Sequence, residues 1–135
     1  MTKSKRKTIT AIFTFALVMC LSITVFAATT TFSGSLPANQ GDTEISKVRK
    51  ANSTTKYFTI TISSIGKGTN KVCAWTEGSW GGNYSSPYNQ VGIGTKSFSY
   101  YKNDYPKKGD NVILNLDNPV YMSSTVSVSG SWNPH

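Results

Sequence analysis

The feature that most constrains the fold is a run in which every second residue is apolar. Residues 56–65 alternate Phe58, Ile60 and Ile62 with threonine and serine. Side chains along a β-strand point alternately to opposite faces of a sheet, so this period predicts a strand with one buried and one solvated face. A short glycine-containing turn and a second β-rich run follow. Together the two runs predict a β-hairpin over residues 57–77.

The same style of sequence recurs along the chain. Short β-rich segments bounded by glycine, proline, asparagine or aspartate predict further strands at residues 30–36, 96–102, 111–116 and 120–132. Residues 42–51 fit an amphipathic helix and a strand equally well, and both remain open. Several short strands rich in Ser, Thr, Gly and Tyr predict an all-β chain, a single-domain antiparallel β-sandwich of about seven to eight strands.

The first 27 residues have the composition of a secretory signal peptide. A lysine-rich start precedes the uncharged apolar run 9–26, and Val25-Phe26-Ala27 offers a cleavage site before Ala28. We therefore expect a secreted chain in which residues 28–135 form one domain, since 108 residues leave no room for a second.

Two alternatives to cleavage fit the residues of the leader less well. The apolar run approaches the length of a membrane anchor, but threonine and serine dilute it. Residues 17–20 resemble a lipobox, but Met19 stands where a small residue is required. Removal of the leader leaves Cys73 without an intramolecular partner, and we expect a buried, unreactive thiol on a strand.

The charge of the chain indicates its partners only broadly. The net charge is +8, but four of the 14 basic residues lie in the leader, so residues 28–135 carry +4. The lysines are dispersed and Arg49 is the single arginine of this part, which argues against nucleic acid as a partner. Dispersed positive charge instead fits a weak affinity for an anionic cell envelope.

Residues 77–94 depart from the strand pattern and form the first candidate binding segment. Six of these 18 residues are glycine or proline, and Trp80, Tyr84 and Tyr88 stand among Ser, Asn and Gln. Aromatic rings beside amides and hydroxyls can stack on the apolar face of a sugar and bind its polar rim. The alternative is that the rings fold back as a lid on the core.

A second candidate segment combines aromatic and basic residues. Its members are Tyr100, Tyr101, Lys102, Tyr105, Lys107 and Lys108. Such a segment can bind an anionic polymer such as teichoic acid, or lie at a membrane surface. Alternatively, Tyr101 and Lys102 only mark the end of a strand.

The residues that catalysis requires are scarce. His135 is the single histidine, and it is the last residue of the sequence, where order is usually poor. Glu77 with Asp104, Asp110 or Asp117 could form a glycosidase pair in principle. No acidic spacing matches a calcium loop. We therefore predict no catalytic residues, no metal and no cofactor.

Both ends of the predicted domain carry a resemblance. FSGSLPANQGD at residues 32–42 and VSVSGSW at residues 126–132, after a lysine-rich leader, resemble a family of small secreted proteins of unknown function from low-GC Gram-positive bacteria. More remotely, the chain is similar to lactococcin-like bacteriocins, small β-sandwich proteins that act on the envelope of competing cells. Neither resemblance supplies catalytic residues.

The sequence thus predicts a secreted, non-catalytic protein that contacts the bacterial cell envelope, with a bacteriocin-like antagonist as one form of this role. Cell-wall glycan, teichoic acid and the membrane surface are the expected partners. A passive matrix component that assembles through exposed edge strands is the alternative. A glycan-cleaving enzyme is a more distant third, and the oligomeric state is left open.

Overall fold

The computed structural model describes residues 29–39, 41–50, 52, 54–119 and 122–135. These residues form eight β-strands and no helix. The strands are β1 (Thr30–Leu36), β2 (Thr43–Arg49), β3 (Tyr57–Ile65), β4 (Val72–Gly78), β5 (Gln90–Val91), β6 (Gly94–Ser99), β7 (Asn111–Asp117) and β8 (Val126–Asn133). The predicted signal peptide lies outside the described residues.

The strands form two four-stranded antiparallel sheets that pack face to face. The first sheet has the order β1-β8-β3-β6 and the second has the order β2-β7-β4-β5. The predicted all-β sandwich is therefore confirmed. The ambiguous segment 42–51 contains a strand, β2, and β1 has the predicted bounds.

Two of the predicted strands are shorter than expected. The strand predicted over 96–102 ends at Ser99, and the one predicted over 120–132 begins at Val126. Residues 120 and 121 lie outside the described part of the chain. Pairing between β6 and β3 ends at Ser99, which lies opposite Tyr57. Tyr100 and Tyr101 therefore belong to the loop that follows β6.

The predicted hairpin over 57–77 is wrong, although both of its strands are present. β3 pairs with β6 and β8 in the first sheet, whereas β4 pairs with β5 and β7 in the second. The chain leaving β3 stays beside β8, because the amide of Gly66 donates to the carbonyl of Ser127 at 2.7 Å. The chain then crosses to the opposite sheet. The apolar faces of β3 and β4 therefore meet across the core, and the two strands do not pair.

The core lies between the inner faces of the two sheets. Ile60 of β3, Leu114 of β7 and Trp132 of β8 are among its fully buried side chains. Trp132 also joins the sheets by a polar contact, since its Nε1 donates to Ser46 Oγ on β2 at 2.8 Å. This bond satisfies the indole N–H inside an otherwise apolar layer.

The buried side chain of Lys50 binds the last two residues of the described chain. Lys50 Nζ donates to the main-chain oxygens of Thr55, Pro134 and His135 at 2.7, 3.1 and 3.1 Å. It also lies 5.1 Å from the ring centroid of Tyr100. Burial lowers the pKa of Lys50 to about 8, and the three acceptors compensate the ammonium for the water it has lost.

Within the described ranges, no helix is long and apolar enough to cross a membrane.

The sidedness of β3 can be tested by a pair of substitutions. Ile60 is fully buried, whereas Thr61 lies on the outer face, where its Oγ1 is 2.7 Å from Thr95 Oγ1. We expect Ile60→Ala to lower the free energy of unfolding by about 2 to 5 kcal/mol, and Thr61→Ala by less than about 1 kcal/mol. Urea melts measure both, and equal losses would contradict the assignment of the two faces.

Candidate functional site

The segment that follows β4 turns back and runs along the free edge of that strand. Asn83 forms an isolated antiparallel bridge with Glu77, and the amide of Ala74 donates to the carbonyl of Asn89 at 2.8 Å. β5 then pairs with Val72 and Cys73 and covers the rest of the free edge of β4. Residues 79–89 therefore act as an irregular extension of the second sheet, as well as a loop.

Ser85 fixes the middle of this returning segment. Its hydroxyl accepts from the amide of Thr76 at 2.9 Å and from the Thr76 hydroxyl at 3.1 Å, and both residues are buried. The amide of Tyr84 donates to the carbonyl of Thr76 at 2.8 Å. The Ser85 hydroxyl thus accepts the hydrogen bond from the Thr76 amide that a main-chain carbonyl would accept in a regular pair of strands.

The structure places the three rings of the first candidate segment in different surroundings, one in the core and two in solvent. Tyr84 is only 6 % exposed and lies in the core, where its ring contacts Tyr100 at a centroid distance of 6.5 Å. Tyr100 in turn contacts Phe58 at 5.8 Å. The lid alternative therefore describes Tyr84, whose ring is not available to stack on a ligand.

Tyr100, predicted as a binding residue of the second segment, is also a core residue. It follows β6 and is buried, and its hydroxyl donates to the carbonyl of Pro134 at 2.9 Å. Burial, with a smaller contribution from Tyr84, raises the pKa of the Tyr100 phenol. The two predicted segments do meet, because the amide of Tyr101 donates to the carbonyl of Tyr84 at 2.7 Å.

Trp80 lies at the tip of a tight turn and is 64 % exposed. The amide of Gly81 donates to Gly78 at 3.0 Å, and that of Gly78 donates to Gly82 at 2.9 Å. The indole lies against Gly78 and Gly82, where an added Cβ would overlap with it. Its edge also contacts the Tyr84 ring at 6.0 Å, so the exposed indole is held in one place.

Tyr88 is 85 % exposed and stands at the side of a groove on the outer face of the second sheet. The groove has a volume of about 340 Å³. Its lining includes Asp42, Cys73, Trp75, Glu77, Asn83, Pro87, Asp117, Asn118 and Pro119. One exposed aromatic ring thus borders a concave surface that contains carboxylates and amides.

The carboxylates give the groove a negative potential. Glu77 Oε1 accepts from Trp75 Nε1 at 3.0 Å. Burial raises the pKa of Asp117, and the negative charge of Asp42 raises it further, whereas a bond from the Asn118 amide acts in the opposite direction. No lysine or arginine is among the described residues that line the groove.

Two side chains on the outer face that carries the groove, those of Asn115 and Trp75, are almost fully buried. Leu114 and Leu116 of β7 point into the core, so Asn115 between them lies on the outer face, opposite Trp75 of β4. Asn115 is 1 % exposed, and its Nδ2 has no hydrogen-bond partner among the described residues. Trp75 is 4 % exposed. A buried, unpaired donor therefore lies beside Trp75 on this face, but Asn115 is not among the residues that line the groove.

Cys73 is buried on a strand, as expected, but it lies on this outer face instead of in the central core. Burial and the charge of Asp117 raise the pKa of its thiol, which favours the unreactive protonated form. Among the described residues, no group of three or more His, Cys, Asp and Glu side chains is placed to hold a metal ion.

The remaining residues of the basic segment stay at the surface. Tyr101, Lys102, Lys107 and Lys108 are exposed. Lys107 Nζ lies 3.3 Å from the ring centroid of Tyr105, and this contact lowers the pKa of the Tyr105 phenol. The segment presents positive charge beside the aromatic turn, but it lines none of the described groove.

The acidic residues weighed as catalytic partners are dispersed. Asp104 and Asp110 are absent from the groove lining, and Asp110 accepts the Lys107 amide at 2.8 Å in a turn. Glu77 and Asp117 do share the groove. Because Cys73 pairs with Asp117, the strand rise separates the Glu77 and Asp117 backbones by roughly 13 Å, a wide spacing for paired carboxylates.

The groove was not predicted from the sequence, although Trp75 provides a signal for it. In the run Val72–Gly78, the inward positions are Val72 and Ala74, so alternation places Trp75 on the face expected to be solvated. A large aromatic residue there indicates that something covers this face.

A scan against protein-family models finds no match to this chain, and a search of curated proteins also finds none.

The different positions of Tyr84 and Tyr88 predict different effects on stability. Tyr84→Ala removes a ring packed in the core and should lower the free energy of unfolding by about 3 to 5 kcal/mol. Tyr88→Ala removes a ring that is almost wholly in solvent and should change it by less than about 0.5 kcal/mol. Denaturant melts followed by circular dichroism compare the two, and a large loss for Tyr88→Ala would place that ring in the core.

Proposed function

We propose that this chain is a secreted, non-catalytic protein that contacts the bacterial cell envelope by binding cell-wall glycan in the groove beside Tyr88. The groove is bordered by the segment that the sequence predicts as a binding loop. A bacteriocin-like antagonist is the specific role that the sequence resemblance suggests.

The observation that carries the proposal is the combination of Tyr88 with the groove beside it. A free ring that is 85 % exposed can cover the apolar C–H face of a sugar. The amide of Asn83 and the carboxylate of Glu77, both in the groove lining, can bind the hydroxyls of a neighbouring sugar in the same glycan chain. These are complementary contacts on one concave surface.

The electrostatics favour glycan over teichoic acid as the groove ligand. The phosphates of teichoic acid would meet the carboxylates of Asp42, Glu77 and Asp117 at close range, and like charges repel. The exposed lysines of the segment 101–108 are better placed to attract an anionic wall or membrane surface. We assign them a weak, salt-sensitive contribution that brings the protein near the envelope.

The matrix alternative depends on pairing between edge strands. β6 is an edge strand of the first sheet, and most of its residues are exposed. Lys96 lies in the middle of this short strand, and a charge on an edge opposes pairing with another copy. The structure thus offers less support for assembly than for ligand binding.

The proposal is tested with isolated Gram-positive cell walls and protein purified from culture medium. Tyr88→Ala should weaken wall binding by about five- to tenfold, because the stacking ring is lost while the fold is retained. Tyr57→Ala is the matched control, since Tyr57 is an exposed tyrosine on the first sheet and should bind as wild type.

A third variant distinguishes the two candidate surfaces. If Tyr88→Ala binds walls normally, while Tyr101→Ala binds weakly and added salt abolishes binding, the contact lies on the basic segment and the groove proposal is contradicted. Wild-type salt dependence measured beside the variants shows how much of the affinity is electrostatic.

A further inference from the structure

Several loops meet at one end of the sandwich. β2 ends and β7 begins there, since Arg49 pairs with Asn111. β4 ends beside the start of β7, and β6 ends beside the start of β3. The amide of Tyr101 joins the loop after β6 to the loop after β4 by donating to the carbonyl of Tyr84 at 2.7 Å. We call this region the loop end, and it consists of the described residues of 49–56, 79–83 and 100–110.

The net positive charge of residues 28–135 lies at the loop end. These residues carry ten basic and six acidic side chains. The loop end contains six of the basic side chains and two of the acidic ones, so it accounts for the whole net charge of +4. Its basic residues, all exposed except the buried Lys50, are Arg49, Lys50, Lys56, Lys102, Lys107 and Lys108. Charge gathered on one side of a protein orients that side toward an anionic partner.

Two exposed aromatic rings stand among these charges. Trp80 is 64 % exposed and Tyr101 is 41 % exposed. Both residues contact Tyr84, Trp80 through its ring at a centroid distance of 6.0 Å and Tyr101 through its amide. The fold thus holds a large apolar indole in water at a fixed position. Such a ring favours a partner that removes its apolar part from water.

Two of the lysines lie over a third ring. Lys107 Nζ is 3.3 Å and Lys56 Nζ is 4.8 Å from the ring centroid of Tyr105. These two lysines come from different loops, and both are exposed. Asp110, one of the two acidic residues at this end, accepts the main-chain amide of Lys107 at 2.8 Å. The ring of Tyr105 therefore gathers two ammonium groups at the surface of the loop end.

The combination of rings and lysines fits the surface of an anionic lipid bilayer. Lysines near such a surface are attracted by the charge of its headgroups. Tryptophan and tyrosine favour the headgroup region, where one part of the ring meets apolar chains and the other part stays wet. A soluble phosphate polymer would also attract the lysines, but it offers no apolar layer to the indole of Trp80.

We propose that the loop end docks on an anionic membrane surface, with the Trp80 ring in the headgroup region and the lysines against lipid phosphates. Trp80 does not line the groove beside Tyr88. The membrane contact is therefore a second surface, and it goes beyond the proposed glycan binding without depending on it.

The test uses vesicles of phosphatidylcholine alone and vesicles of an equal mixture of phosphatidylcholine and phosphatidylglycerol. Trp75 and Trp132 are 4 % and 1 % exposed, so Trp80 is the tryptophan whose surroundings a membrane can change. Its fluorescence emission should shift to shorter wavelength with the anionic vesicles. Co-sedimentation should give at least about tenfold tighter binding to the anionic vesicles than to the neutral ones, and added salt should weaken it.

Variants locate the contact. Trp80→Ala should weaken binding to anionic vesicles by at least about fivefold, because the ring that enters the interface is lost. Ile93→Ala is its control, since Ile93 is 71 % exposed between β5 and β6, at the opposite end of the sandwich, and should bind as wild type.

A pair of lysine variants tests the charge and keeps the proposal testable if Trp80→Ala is unfolded in thermal melts. Lys107→Gln combined with Lys108→Gln should weaken binding to anionic vesicles by at least about fivefold and reduce its salt dependence. Lys67→Gln combined with Lys71→Gln removes the same charge from the opposite end of the sandwich and should have little effect.

The outcomes separate this contact from glycan binding. Equal binding to both kinds of vesicle, or to neither, would overturn the membrane proposal, as would equal losses in the control variants. Salt-sensitive binding to purified teichoic acid without binding to vesicles would also overturn it and would assign the lysines to a phosphate polymer. Tyr88→Ala should leave vesicle binding unchanged, so its effect on wall binding tests the glycan proposal independently.

Discussion

The arrangement of the candidate site depends on how the free edge of β4 is covered. A strand edge needs partners for its main-chain groups, and here residues 79–89 supply them without forming a regular strand. Tyr84 anchors this segment by inserting its ring against Tyr100 in the core. The rings of Trp80 and Tyr88 lie outside the core and face solvent.

This anchoring places Trp80 and Tyr88 in different surroundings. Trp80 lies at the Gly78 end of β4, whereas Tyr88 borders the groove near Cys73, and the strand rise puts these ends roughly 15 Å apart. The two rings therefore do not form one platform. Tyr88 lies beside the carboxylates of the groove, and Trp80 lies on the loop that the amide of Tyr101 joins to the basic segment.

Most of the strands could be predicted from the sequence, whereas the short β5, the choice of strand over helix for β2, the strand partners and the groove could not. Alternation around Ile60 is local, so it identifies β3 and its buried face directly. The hairpin prediction failed because the alternation of apolar residues in two strands does not determine whether the turn between them keeps the chain in one sheet or carries it to the other. Likewise Tyr84 and Tyr88 have similar neighbours in sequence, and only the register of the loop against Thr76 and Ala74 decides which ring is buried.

Binding of a glycan on the outer face of the second sheet can be located by a titration followed by NMR. Amide resonances of a ¹⁵N-labelled sample would be recorded as a soluble fragment of cell-wall glycan is added. We expect the largest shifts on Asn83, Tyr88 and Asp117, which line the groove, with small shifts in the first sheet. Largest shifts across residues 101–108, with the groove amides unmoved, would contradict it.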